Sequence, residues 1–336
     1  MRRRSLYFTG PREVAVEPTT FTADADEVVV ETRVSAINAG TELLIYRGEA
    51  PPNLAADETI DALDGDLSFP VRYGYAAVGE VVSVGAAVSE PDRWEGRTVF
   101  AFNPHESRFA ASPDDLVPVP SSVSPATAAV LPSVETATSL VLDGRPRVGE
   151  RVVVFGAGVI GLSTVGVLSS FPLERLVAVD PLAERRDHAL AMGADEAVAP
   201  EEVASAVGDG ATDGADLVYE LSGQPDALDD AISVTGYDSR VVVGSWYGTK
   251  RANLDLGSEF HRDRVTIESS QVSTLAPESR GRWTKGRRME TALDRLRALD
   301  VPSLISHRVP FEDAPAAYRR LDERPESTLQ VLLTYT

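Results

Sequence analysis

The chain has 336 residues, of which 43% are hydrophobic and 25% charged. That is a globular composition, long enough for about two domains at roughly 100–200 residues each. Its 52 acidic and 32 basic residues give a formal net charge of −20, which repels phosphate backbones and excludes broad nucleic-acid binding. Cysteine is absent, so disulfides, thiol nucleophiles and zinc sites built on thiolates are excluded.

No run of about 18 apolar residues is present, so no membrane-spanning helix is expected. The basic start, Met1-Arg2-Arg3-Arg4, is not followed by the apolar core of a secretory signal. The expected location is the cytoplasm. Lys250 and Lys285 are the only lysines. An acidic, lysine-poor surface stays soluble where salt screens charge strongly, and the composition reads as halophilic in type.

The first 120 residues read as β-rich. Val28–Val34, Gly79–Gly85 and Arg97–Phe102 are β-branched or alternating runs, and prolines and glycines punctuate the stretch. Gly48–Phe69 is polar and irregular. From about residue 125 the rhythm changes. Pro125–Leu142 reads as one helix, and the apolar runs Arg151–Phe155, Leu176–Asp180, Asp216–Leu221, Arg240–Gly244 and Val265–Glu268 then alternate with helical stretches. Fully apolar strands alternating with helices predict an α/β fold, a doubly wound parallel sheet covered on both faces. The tail holds a helix, Ala314–Leu321, and a lone strand, Leu329–Tyr335, expected to return to the first domain.

Gly156-Ala157-Gly158-Val159-Ile160-Gly161 fits G-x-G-x-x-G. It follows an apolar strand, opens a helix, and is followed roughly 20 residues on by Asp180 at the end of the next strand, which is the context a dinucleotide site requires. Gly156 permits the turn, Gly158 the approach of a diphosphate, and Gly161 close packing. The helix start near Val159 and Ile160 offers free N–H groups and a positive dipole end. Asp180 is placed to accept hydrogen bonds from the adenosine ribose, which favours NAD; Arg185 and Arg186 nearby keep NADP open.

With these residues in view the sequence resembles the medium-chain dehydrogenase/reductase superfamily, alcohol-dehydrogenase-like, over essentially its whole length. The likeness rests on Asn38–Gly48, on Tyr73–Val81, on the glycine segment, and on Ile305–Ala314 with the terminal strand. It implies a GroES-like β-barrel catalytic domain (1–123 and 300–336) around an inserted Rossmann domain (124–299). It also implies an NAD(P)-dependent dehydrogenase acting on a small organic molecule, and a homodimer. The pattern departs from zinc members of the superfamily: Ala39 stands where they carry a cysteine ligand, and Tyr75-Ala76 where they carry His-Glu. A branch without the usual zinc is therefore expected, with a site rebuilt from Glu42, His105 and Glu106 as the alternative.

Without a metal, another group must steady or protonate the carbonyl oxygen. Tyr75, at a family ligand position, and His105, just past Phe102-Asn103-Pro104, are the candidates, each weighed against a packing or surface role. Glu42 and Tyr46, four apart on an expected helix, could relay a proton or hold the nicotinamide ribose. Thr136 matches a threonine that touches nicotinamide in relatives. Ser222 and Gly244 at strand ends join the cofactor set, and Phe102, Trp246, Tyr247 and Trp283 the substrate pocket. Trp283 lies inside a basic cluster of Arg280, Arg282, Lys285, Arg287 and Arg288. The expected reaction is hydride transfer between NAD(H) and a carbonyl or alcohol. A reductase of enones or quinones and a non-catalytic dinucleotide scaffold are the alternatives.

Overall fold

A computed structural model describes residues 1–208 and 214–336, and the chain divides into two compact units. Unit 1 comprises Met1–Pro132 and Val301–Thr336; unit 2 comprises Ser133–Asp300.

Unit 1 opens with a hairpin of β1 (Arg2–Gly10) and β2 (Glu13–Thr20). There follow β3 (Val28–Ala36), α1 (Ala39–Arg47), β4 (Ala77–Val84), β5 (Thr98–Ala101), β6 (Arg108–Ala111), β7 (Leu116–Pro118) and the short α2 (Pro125–Ala128). Ser124 caps α2 by accepting the Thr127 amide, with Pro125 at the first helical position. The stretch expected as one helix is two. Pro132 has no N–H and its ring would strike the carbonyl four residues back, so α2 stops and α3 (Leu131–Gly144) starts afresh with proline in its first turn.

In unit 2 β8 (Arg151–Phe155), α4 (Val159–Leu168), β9 (Arg175–Val179), α5 (Ala183–Ala191) and β10 (Glu196–Val198) alternate. They continue with α6 (Val203–Val207), β11 (Ala215–Glu220), α7 (Asp226–Ser233), β12 (Thr235–Val243), α8 (Glu259–Arg262), β13 (Thr266–Ser269) and α9 (Lys285–Ala298). The parallel sheet runs β10-β9-β8-β11-β12-β13, so the order reverses between β8 and β11, where such sheets bind ligands. Val153, Phe155, Val177, Val179, Val218 and Val241 form one buried cluster. Full burial contributes about 1.5–3 kcal/mol for each larger apolar side chain, which explains why these strands carry almost no polar residues.

The chain returns to unit 1 as β14 (Ile305–Pro310), α10 (Ala314–Glu323) and β15 (Gln330–Thr334). The mostly antiparallel sheet runs β14-β15-β3-β4-β5-β7, with β6 also on β3. The terminal strand thus pairs with β3, Leu332 opposite Ala36. Among the described residues no helix is long and apolar enough to cross a membrane.

One internal ion pair anchors α9 to α3. Arg288 is 2% exposed; its Nη2 and Nε lie 2.9 and 3.2 Å from Glu135 Oε1, and Nη1 lies 3.3 Å from Ser139 Oγ. Burial pushes the Glu135 carboxyl up even against this guanidinium. Removing one member of such a pair strands a buried charge and costs about 3–5 kcal/mol. Arg288→Met is therefore expected to lower the denaturant midpoint sharply, and Arg288→Met with Glu135→Gln to recover most of the loss. A single variant as stable as the double would contradict this.

Candidate functional site

In unit 2 the glycine turn between β8 and α4 is shaped by backbone contact. Gly156 has φ +91°, and a Cβ there would lie 2.6 Å from Ser222 Cα. A Cβ on Gly161 would sit 1.8 Å from the Gly156 oxygen, whereas one on Gly158 would meet nothing within 4 Å. Two glycines are thus required by packing, and the middle one leaves an open face beside the α4 N-terminus. The first amides of a helix have no partner within it, so Val159 and Ile160 sit where an anion is favoured. The residues present fit a dinucleotide diphosphate.

Asp180, just past β9, is 3% exposed. Its Oδ2 accepts the Ala157 amide at 2.8 Å and its Oδ1 the Leu182 amide at 2.9 Å. The carboxylate therefore buttresses the turn, and each oxygen keeps a lone pair for a ribose hydroxyl. Arg185 Nη1 lies 3.9 Å from Asp180 Oδ2, and Arg186 donates to the carbonyls of Asp180 and Pro181. Ser222 follows β11 and Gly244 follows β12, beside the same turn; Thr136 is half-buried on α3.

In unit 1 the first turn of α1 lies against two candidate groups. Burial, with the charges of Glu42 and Asp57 adding to it and Thr41 opposing it, pushes the Tyr75 phenol well above the usual tyrosine value. Tyr75 also meets Tyr73 edge-on, centroids 6.0 Å apart. Glu42, fully buried, accepts from three sides: the Asn38 amide at 2.7 Å, His105 Nε2 at 3.0 Å, and the Tyr318 hydroxyl from α10. His105 is equally buried, and its Nδ1 lies 2.7 Å from Ser35 Oγ, which lies 2.9 Å from the Tyr335 hydroxyl. The imidazole occupies the space above Gly74: a Cβ at that residue, whose φ is +109°, would lie 2.5 Å from the ring. Glycine is required there because the ring is there.

Tyr46 shares the α1 face with Glu42 and stacks on Tyr318 at 5.7 Å. Glu106 faces another way. Its carboxylate takes Arg3 at 2.8 Å, Arg72 at 2.7 Å and Ser5 at 2.9 Å, so it does not join Glu42 and His105. Phe102 is half-buried, edge-on to Phe100. Of the basic cluster, Arg288 points inward to Glu135, and Arg287 lies over the Trp283 ring at 4.3 Å. Tyr247 donates to the buried Glu220, and Trp246 beside it is half-buried. Sequence reasoning missed Tyr318, Ser35, Tyr335 and Glu220. The first three carry no motif; Glu220, a carboxylate ending an otherwise apolar strand, was the one visible signal.

The α1–α10 contact that brings Tyr318 to Glu42 is tied by Asp322, whose two oxygens take Arg47 Nε at 2.6 Å and Arg12 Nε at 2.9 Å. Burial alone would raise the Asp322 carboxyl, but the hydrogen bonds from Arg47 and Arg12 outweigh it and hold it below the usual value. A depressed folded value means the stabilisation is present above the unfolded carboxyl, near pH 3.9, and fades as pH falls through the folded one. Asp322→Asn should lower Tm at neutral pH by about 2–4 °C, the effect of roughly 1 kcal/mol in a unit this size. The gap to wild type should close in acid; a gap independent of pH would refute the assignment.

Comparison with known proteins finds similarity to dehydrogenases. A family described as zinc-binding dehydrogenase matches residues 159–288, entirely within unit 2. The D-guloside 3-dehydrogenase of Escherichia coli K12 is 27% identical, over 99% of this chain and 100% of that protein. The 2R,3R-butanediol dehydrogenase of Bacillus subtilis superposes with a TM-score of 0.79 at 19% identity, covering 99% of each chain. An alcohol dehydrogenase of Escherichia coli CFT073, solved with NADH, superposes with a TM-score of 0.77 at 19% identity and the same coverage.

Proposed function

We propose that this chain is an NAD(P)-dependent, alcohol-dehydrogenase-like oxidoreductase of the medium-chain type, and that it interconverts an alcohol and its carbonyl without zinc, with Tyr75 as proton donor. The carrying observation is the arrangement around α1: Glu42 and His105 form a closed pair, and the His105 ring packs on Gly74, the residue next to Tyr75.

A catalytic zinc takes three protein ligands and keeps a fourth position open. The two donors here are bonded to each other, and their remaining atoms are engaged by Asn38, Tyr318 and Ser35. Glu106 is held by two arginines. Among the described residues no three His, Asp or Glu side chains gather around one point. These donors do not fit the ion. The family match at 159–288 lies outside all of them.

NAD(H), when bound, supplies or accepts the hydride. Unit 2 contributes its cradle: the Gly156–Gly161 turn, the α4 N-terminus and Asp180, whose negative charge opposes a 2′-phosphate and favours NAD over NADP. Unit 1 contributes the proton. In reduction the carbonyl π pair moves to oxygen as hydride reaches carbon, and the Tyr75 O–H gives its proton to that oxygen. A phenol kept neutral by burial holds its proton throughout the physiological range, and a developing alkoxide is more basic than a phenolate. His105 and Glu42, with no exposed atom, position Gly74 and hence Tyr75; Tyr46 and Tyr318 pack behind them. Phe102 in unit 1, and separately Trp246, Tyr247 and Trp283 in unit 2, remain proposed substrate contacts. The guloside and butanediol dehydrogenases among the relatives make a hydroxyl-bearing carbon the expected substrate centre.

Turnover of a panel of alcohols, carbonyls, enones and quinones with each nucleotide tests this reading. Tyr75→Phe should lower kcat by roughly 10²–10⁴-fold, the range for a lost general acid, with NADH affinity intact. Because the phenol is raised, carbonyl reduction should be flat across neutral pH, and alcohol oxidation should climb steadily with pH and show no plateau by about pH 10. Full activity in Tyr75→Phe, or turnover of enones and quinones alone, would overturn it.

A further inference from the structure

We propose that the loop following β12, Ser245–Lys250, is a clamp on the cofactor-binding turn, and that Tyr247, Ser245 and Lys250 are positioning residues for the dinucleotide. The inference rests on the reading that the Gly156 turn takes NAD(H).

The argument starts from what touches that turn. Gly156 lies against the backbone of Leu221 and Ser222, closely enough that a Cβ would come within 2.7 Å of both residues. Whatever fixes residues 221–223 therefore fixes the glycine turn. Leu221 N also donates to Phe155 O at 2.8 Å, one residue before Gly156. The two turns form one surface at the point where strand order reverses between β8 and β11.

Three side chains of a single loop hold this surface. Glu220, fully buried at the end of β11, accepts the Ser222 amide at 2.8 Å and the Ser222 hydroxyl through Oε1, and the Tyr247 hydroxyl through Oε2. Gly223 N donates to Ser245 Oγ at 2.9 Å, and Lys250 Nζ donates to Gly223 O at 3.0 Å. Both backbone groups of Gly223 and the carboxylate that orients Ser222 are thus gripped from residues 245–250. At the base of the loop, a Cβ on Gly244 would lie 2.6 Å from Leu221 Cδ2, so the loop begins in contact with the turn it holds.

The chemistry of each member suits this task. Burial and the Glu220 charge push the Tyr247 phenol far above its usual value, so it remains a donor. Without it, Glu220 Oε2 would be buried and unsatisfied, and the segment it orients would relax. Lys250 is one of two lysines in a chain whose other cations are arginines. A compact ammonium can settle on a single carbonyl where a guanidinium fork presents its donors in a plane. Holding the turn in its binding geometry before the ligand arrives lowers the ordering cost of binding. Trp246 stands between two pinned neighbours, and its half-buried indole serves as a reporter.

The test is NADH affinity, followed by tryptophan-to-NADH energy transfer in the full chain, together with steady-state kinetics. Tyr247→Phe is expected to raise both Kd and KM for NADH about tenfold, the loss of roughly 1.4 kcal/mol, and to change them more than it changes kcat. Lys250→Met should act in the same direction and Lys250→Arg should restore part of the affinity. If Tyr247→Phe does not fold, the lysine pair carries the test. Wild-type binding with affinity unaltered in the variants would overturn the clamp and leave the cofactor reading standing. A wild-type protein that does not bind NADH would overturn both.

Discussion

The buried carboxylate of Glu42 organises unit 1. It accepts the amide that starts α1, the imidazole of the 103–107 segment and the phenol of α10. A carboxylate removed from water is tolerable only with its lone pairs filled by donors. Three elements distant in sequence must therefore converge on it. Once they do, His105 lies over Gly74, Gly74 must be glycine, and the place of Tyr75 beside it follows. The proposed proton donor is set by a structural pair that itself never meets solvent.

The same device recurs twice in unit 2. Glu135 is buried against Arg288 and ties α9 to α3; Glu220 is buried against Ser222 and Tyr247 and ties the β12 loop to the end of β11. In each case a carboxylate at the edge of an apolar element is satisfied by groups from a later segment. Such knots are specific because a partial set of donors leaves a buried charge exposed to its own desolvation cost. Asp180 is a milder version, bracing the glycine turn through the Ala157 amide.

Much of this architecture was legible in the residues. The parallel sheet could be read because strands buried on both faces must be apolar end to end, as Val152–Phe155 and Leu176–Val179 are. The dinucleotide turn could be read because its glycines answer steric demands that no other residue meets. The break at Pro132 is masked by the alanine- and leucine-rich stretch around it, whose composition favours helix on both sides. The β1–β2 hairpin was blurred by its half-polar strands, one opening on three arginines and the other carrying Pro18. The site around α1 was legible only in its membership: Glu42, His105 and Tyr75 stand out by type. That Glu42 meets His105 rather than Glu106 is a contact across 63 residues, and Tyr318 completes it only after the chain has passed through the whole of unit 2. No local pattern encodes contacts of that separation. Arg288 shows the opposite error, since a residue placed in a basic surface cluster by its neighbours is in fact buried.

The closed Glu42–His105 pair is proposed to leave no place for a catalytic metal. Elemental analysis of the purified enzyme, assayed before and after exhaustive dialysis against a strong chelator, tests it most directly. The account predicts nucleotide-dependent turnover that survives dialysis in protein carrying no stoichiometric zinc. One tightly held zinc per chain, with activity lost on its removal and regained on its return, would contradict it.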